Sequence, residues 1–246
     1  MQEPNKSAIN IVTLPKRNIS IAKVEKMQKI EDKIRRIQLE LAQNQVQLIV
    51  VSKYRDISEI QAAYNCGQRV FAENRVQALL ERVEMLPKDI QWHLIGHLQT
   101  NKVKYIAPFI QTIHSVDSLK LAEEINKHAL KNERQIDILL QTHVAQENSK
   151  FGIAPEHFET FVESLLENQL SGIRIRGIMG MATFTDDTTQ IHSEFERIES
   201  LFKKIKHRYF QNVALFNELS IGMSGDYHIA MEHGATMVRI GSAVFE

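Results

Sequence analysis

The feature that most narrows the fold is a rhythm. Eight short apolar segments recur along the chain, at Leu48–Ser52, Arg69–Ala72, Trp92–Ile95, Thr112–Ser115, Ile136–His143, Ile173–Met179, Glu218–Ile221 and Met237–Ile240, and amphipathic stretches separate them. Several of these segments are apolar throughout, as strands must be when both their faces are covered. Strand followed by helix, repeated, reads as βαβ units on a parallel sheet. Eight such units in about 200 residues fit one small (β/α)8 TIM barrel. A doubly wound open sheet is the alternative that periodicity leaves open. The longest connecting stretch, Gln190 to His207, puts Ile191, Phe195, Ile198, Phe202 and Ile205 on one helical stripe. Asp56, Asn74, Thr100, Asp117 and Thr188 stand where helix N-caps are needed.

Ahead of the first strand, Ile21 to Asn44 carries Ile21, Val24, Met27, Ile30, Ile34, Ile37 and Leu41 at spacings of three and four. That is one face of an extra N-terminal helix, expected to pack on the barrel floor. Fewer than three clean heptads speak against a coiled coil. Residues 1–20, with Pro4 and Pro15 and little periodicity, read as a flexible tail without the apolar core of a secretory signal. Residues 21–246 read as the barrel domain. Lys plus Arg and Asp plus Glu each number 30, so the net charge is zero and a nucleic-acid partner is not expected. No apolar run reaches membrane-spanning length. The single cysteine, Cys66, forms no internal disulfide and reads as a buried thiol in a reducing, cytoplasmic setting. With no long exposed apolar stripe beyond the leading helix, a monomer is expected.

The reacting groups of such barrels sit at the carboxyl ends of the strands. After the first strand comes Ser52-Lys53-Tyr54, which aims a lysine out of the barrel mouth. Desolvation there would favour the neutral, nucleophilic amine. After the seventh comes Gly222-Met223-Ser224-Gly225-Asp226, and after the eighth Gly241-Ser242-Ala243. Loops after strands seven and eight commonly hold phosphate, because small residues let backbone N–H groups approach the anion. Asp226 replaces the second glycine of GxSxG, so a serine-hydrolase elbow is not expected. An amine and a phosphate cradle in one mouth suit either a Schiff-base aldolase acting on a sugar phosphate or a pyridoxal phosphate site.

Seven stretches carry a closer likeness: VVSKYRD, FAENRVQ, WHLIGHLQTNK, HSVDS, SKFGI, IRIRGIMGMATF and IGMSGDYHIAMEHGATMVRIGSAVF. In order and in register from Leu48 to Phe245, they resemble the pyridoxal phosphate homeostasis protein family, whose fold is a barrel like the N-terminal domain of alanine racemase without the racemase's second domain. The resemblance implies pyridoxal 5'-phosphate as cofactor, held as a Schiff base on Lys53 beside Asn74. It assigns the phosphate to Ser224, Gly225, Gly241 and Ser242, and it sets Arg239 against the pyridine nitrogen. Two departures show, and the one after the MS pair, at Gly225, stays within the family's range. Ala72 replaces the family's usual glycine in FGEN, which would crowd the cofactor floor slightly.

A guanidinium is always charged and only donates, so Arg239 should keep the ring nitrogen unprotonated and weaken the ring as an electron sink. A racemase takes its second base from the domain this family lacks, and an open site excludes water poorly. The resemblance therefore implies a non-catalytic carrier that buffers or delivers the cofactor, with recipient apo-enzymes as partners. The alternatives are a true enzyme (aldolase, weak racemase or transaminase) and a regulatory interaction module. His93, His97, His114 and His143 fall in or just after strands without metal-ligand spacing and read as satisfied barrel histidines, not a metal site. Lys150 reads as a solvated loop lysine, with a transient second amine for cofactor transfer as the sharper alternative.

Overall fold

The computed structural model describes residues 21–145 and 151–246. Eight parallel strands close into a barrel in chain order: β1 (Gln47–Val51), β2 (Val70–Glu73), β3 (Gln91–Leu94), β4 (Thr112–Val116), β5 (Ile136–Gln141), β6 (Ile173–Met179), β7 (Glu218–Met223) and β8 (Met237–Ile240). β1 closes the ring by pairing with β8, Leu48 opposite Val238, as well as with β2, Val50 opposite Phe71. The open-sheet alternative is therefore overturned. Strand ends differ from the sequence reading by two residues or fewer, and β6 and β8 not at all.

Helices follow the strands. They are α2 (Ile57–Asn65), α3 (Val76–Met85), α4 (Val103–Ile106), α5 (Leu119–Lys131), α6 (Phe158–Glu167), α7 (Thr188–Tyr209), α8 (Tyr227–Glu232) and the short closing α9 (Ser242–Phe245). Asp56 caps α2, and its backbone N–H bonds the Glu59 carboxylate at 2.8 Å. The other caps fall one residue from the expected position. Asp187, not Thr188, caps α7, its carboxylate accepting from Thr189 N and Gln190 N. Ser118, not Asp117, caps α5. Arg75 holds the cap position of α3, and Gln99 precedes the 3-10 turn that Thr100 opens. Asp187 caps because it has the extended backbone a cap needs (φ −75°, ψ 95°), whereas Thr188 already opens the helix.

The leading helix α1 (Ile21–Gln43) does not cover the floor. It lies on the outer wall, against α2 and β1, with α9 also in contact. Lys26 pairs with Glu59 of α2, and Glu40 accepts from Tyr227 of α8. Ile30, Ile34, Ile37 and Leu41 are buried, whereas Ile21 and Val24 at its start are exposed. The stripe thus does the work of an ordinary barrel helix, filling the wall outside β1, which has no preceding strand to supply one. Cys66 is half-buried rather than buried.

Most of the core lies between strands and helices. Inside the barrel the filling is divided. Ile49, Val70, Ala72, Leu139, Met179 and Met237 form an apolar cluster. His93, His114, Ser220 and Arg239, also buried, hydrogen-bond to one another.

Candidate functional site

Lys53, Asn74, Ser224, Gly225, Arg239, Gly241 and Ser242 all line one cavity of about 590 Å³ at the carboxyl ends of the strands. An amine near the start of the chain and two small-residue turns near its end meet because β1 and β8 are neighbours in the closed ring.

The β1 turn is held from beneath. The Ser52 hydroxyl donates to Glu73 Oε1 at 2.7 Å, Arg82 Nε donates to the same oxygen at 2.6 Å, and Arg82 Nη2 bonds the Arg55 carbonyl at 2.9 Å. Glu73 is fully buried. Tyr54 takes a left-handed φ of 63°, a strained conformation for a residue with a Cβ, which turns the chain sharply just after Lys53. Lys53 itself is exposed, so the burial expected to act on its amine is not in place. Among the described residues its amine has no hydrogen bond or ion pair. Asn74 follows β2, where Gly96 presses against it. A Cβ on Gly96 would fall 2.1 Å from the Asn74 carbonyl oxygen, so only glycine permits this approach.

The β7–β8 side is built differently. Ser224 Oγ accepts from Gly241 N at 3.2 Å and Ala243 N at 3.3 Å, which ties the loop after β7 to the first turn of α9. Asp226 accepts from Met223 N. Burial raises the Asp226 carboxyl above its usual range, opposed by that N–H and by the charge of Arg239. Arg239, 4% exposed, donates from Nη1 to Ser220 O and Oγ, both at 2.7 Å, and from Nη2 to Gly180 O at 3.0 Å. Burial draws its guanidinium down to about 10, still protonated at neutral pH, with Asp226 acting the other way.

Other expectations needed correction. Ala72 sits in the apolar interior cluster and does not line the cavity; its carbonyl meets Ser52. His93 and His114 are buried barrel histidines, but His97 is an exposed rim residue stacked on Phe151 at 4.1 Å. Lys150 and residues 1–20 lie outside the described residues. The sequence reading also missed a whole wall of the cavity. Met181, Thr183, Phe184, Thr185 and Asp186, from the loop between β6 and α7, line it. Thr183 is held through its N–H (2.6 Å) and hydroxyl (2.8 Å) by the buried Glu194. The signal was there: Glu194 interrupts the apolar stripe of α7 between Ile191 and Phe195, and a carboxylate inside such a stripe needs donors nearby.

The alanine racemase N-terminal domain model matches residues 26–246. The pyridoxal phosphate homeostasis protein of Aquifex aeolicus is 39% identical over 204 residues, 82% of this chain and 87% of that one. Its counterpart in Helicobacter pylori strain J99 is 37% identical over 206 residues, again 82% and 87%. Among solved structures, PipY of Synechococcus elongatus with PLP bound superposes with a TM-score of 0.76 at 33% identity, covering 88% of this chain and all of that one. Alanine racemase of Streptomyces lavendulae shares the fold alone, at 13% identity and a TM-score of 0.72 over 89% of this chain and 56% of that one. The barrel, its order of strands and these relatives lead to one statement: the chain belongs to the pyridoxal phosphate homeostasis protein family, within the alanine racemase N-terminal domain fold.

Proposed function

We propose that this protein binds pyridoxal 5'-phosphate in the β1–β8 mouth and takes part in its homeostasis, as a carrier rather than an enzyme. The observation that carries the reading is the convergence of seven separated residues on one cavity, Lys53 and the Ser224–Gly241 turns lining it together. The donor set suits the group. Lys53 would hold the aldehyde carbon as a Schiff base. Ser224 through its hydroxyl and Gly225 and Ser242 through backbone N–H would hold the phosphate, joined by the Gly241 N–H once it leaves Ser224 Oγ. Arg239 would donate to the ring nitrogen, and Asn74 would lie beside the ring. When bound, the cofactor supplies a reactive aldehyde and a conjugated ring. An arginine at that nitrogen limits the ring's use as an electron sink. The PLP bound in PipY of Synechococcus elongatus and the relatives' shared homeostasis name support the reading. A monomer in a reducing, cytoplasmic setting suits a chain with one cysteine, and apo-enzymes needing the cofactor are the proposed recipients.

The test is spectroscopic and covalent. Purified protein incubated with pyridoxal phosphate should turn yellow, and borohydride should fix the label on the Lys53 peptide alone. Passing the loaded protein to an apo-enzyme should activate it faster than an equal amount of free cofactor. Label on another lysine would overturn the site. Steady conversion of an amino acid at ~1 per second or faster would overturn the carrier reading in favour of an enzyme.

A further inference from the structure

Arg239 is the one member of the site whose surroundings reach across the barrel. Ser220 of β7 takes its Nη1 proton. His114 of β4 meets Ser220 Oγ through Nδ1 at 3.1 Å, and His93 of β3 meets His114 Nε2 through its own Nδ1 at 2.9 Å. All four side chains are buried, at 0–4% exposure. The interiors of such barrels are normally filled with apolar, mostly branched side chains, and the cluster of Ile49, Val70, Ala72, Leu139, Met179 and Met237 here is apolar throughout.

The direction of every proton in this chain follows from one end. A guanidinium has donors and no acceptor, so Ser220 Oγ accepts from Arg239. The hydroxyl could accept twice, but among the described residues its own proton has no other acceptor, so satisfying every group sends that proton to His114 Nδ1. His114 must carry its proton on Nε2 and donate to His93 Nδ1, which leaves His93 protonated on Nε2. Both rings are neutral in this arrangement. Their burial agrees, holding His93 at about 3 and His114 well below the usual histidine value. The charged groups facing the chain are Arg239 and, beyond it, Asp226. Three of the five guanidinium N–H groups are consumed, by Ser220 O, Ser220 Oγ and Gly180 O. The Nε–H and one Nη2–H remain for the cavity.

We propose that Ser220, His114 and His93 are positioning residues: a one-way hydrogen-bond relay, spanning the barrel interior from β8 to β3, that fixes the rotation of Arg239 so that its remaining donors face the ring nitrogen of the bound cofactor. The inference rests on the cofactor reading above and deepens it. A relay in a low-dielectric interior is worth having only when each member is satisfied, since an unmatched polar group there is costly. Ser220, accepting from one side and donating to the other, is what joins a cation to a pair of neutral imidazoles.

Two measurements test it. In the cofactor-free protein labelled with 15N-histidine, long-range nitrogen–proton spectra should show His93 and His114 as Nε2–H tautomers, with no titration between about pH 5 and 8. An Nδ1–H tautomer, or an imidazolium in that range, overturns the relay. Second, His114→Phe should weaken pyridoxal phosphate about tenfold and shift the absorbance of the loaded protein, with inorganic phosphate affinity changed less than about twofold. His114→Gln, which can accept from Ser220 and donate to His93, should restore both. Equal loss for the two ligands, or no rescue by Gln, means a merely structural histidine and overturns the proposal. If His114→Phe does not fold, the Gln variant and the tautomers decide. Failure of the wild type to bind pyridoxal phosphate would sink the cofactor reading instead, and the nitrogen spectra would then judge the relay alone.

Discussion

The two sides of the barrel mouth differ in how their working groups are held. On the β1 side, Lys53 is exposed on a strained turn and, among the described residues, makes no hydrogen bond or ion pair, while Ser52 and Glu73 are buried and Arg82 half-buried behind it. On the β7–β8 side several of the groups are themselves packed, although Gly225 and Ser242 stay exposed. Arg239 makes three hydrogen bonds, Ser224 accepts two backbone N–H groups, and Asp226 is buried. The difference follows from the chemistry each side performs. A covalent partner needs a group able to move and exchange protons. Recognition of a ring gains from a donor already in place, as Arg239 is, because little reorganisation is then required on binding.

The largest effect should come from separating these roles. Lys53→Ala should abolish borohydride-trapped cofactor altogether, yet leave phosphate competition measurable by titration calorimetry. If phosphate binding vanished as well, the two sides would not be separable. Next in size is stability. Arg239→Leu leaves Gly180 O without a donor, Ser220 O with Gly180 N alone and Ser220 Oγ without its cation, and should cost about 3–5 kcal/mol in urea denaturation. Lys53→Ala, at an exposed position, should stay within ~0.5 kcal/mol of wild type. Comparable losses in the two variants would erase the contrast.

Within the β7–β8 side the same logic divides two glycines. Gly222 has φ +90°, and a Cβ there would lie 2.6 Å from Ala230 Cβ, so Gly222→Ala should cost about 1–3 kcal/mol. A Cβ on Gly225 meets nothing within 4 Å, so Gly225→Ala should leave stability unchanged to ~0.5 kcal/mol and act on phosphate affinity alone. Thermal melts with and without phosphate check both.

The strands, the lysine after the first and the glycine turns after the last two were legible because they are local or repetitive; closure of the ring was left open by periodicity, and Asn74 and Arg239 entered only through the family resemblance. What sequence could not show was side chains meeting across the ring. His93, His114 and Ser220 lie on strands 21 and 106 positions apart in their contacts, and no period links them. Glu194 anchoring Thr183 was half-legible, as a carboxylate inside an apolar stripe. The N-terminal helix was found by its 3–4 spacing, but its place on the wall rather than the floor depends on which gap the closed ring leaves, and that is set by tertiary packing. Cap positions slipped by one because adjacent residues, such as Asp187 and Thr188, can both serve, and only backbone geometry chooses.

The smallest predicted effect bears on the electrostatics of the tightly packed side. Asp226 has its carboxyl raised above 3.8 by burial. The folded state therefore holds that proton more tightly than the unfolded chain does. Where the folded state binds more protons, stability falls as pH rises. The cost of Asp226 is absent below its unfolded value of 3.8, grows as pH climbs through the raised folded value, and is complete at neutral pH. Asp226→Asn keeps an oxygen to accept from Met223 N and removes the charge, so it should be slightly more stable than wild type near neutral pH, the gap closing as pH falls toward 3.8. Urea midpoints of the two proteins across that range measure it. The opposite sign would mean that attraction between Asp226 and Arg239 outweighs burial, and that the recognition side is tuned for its internal ion balance rather than strained by it.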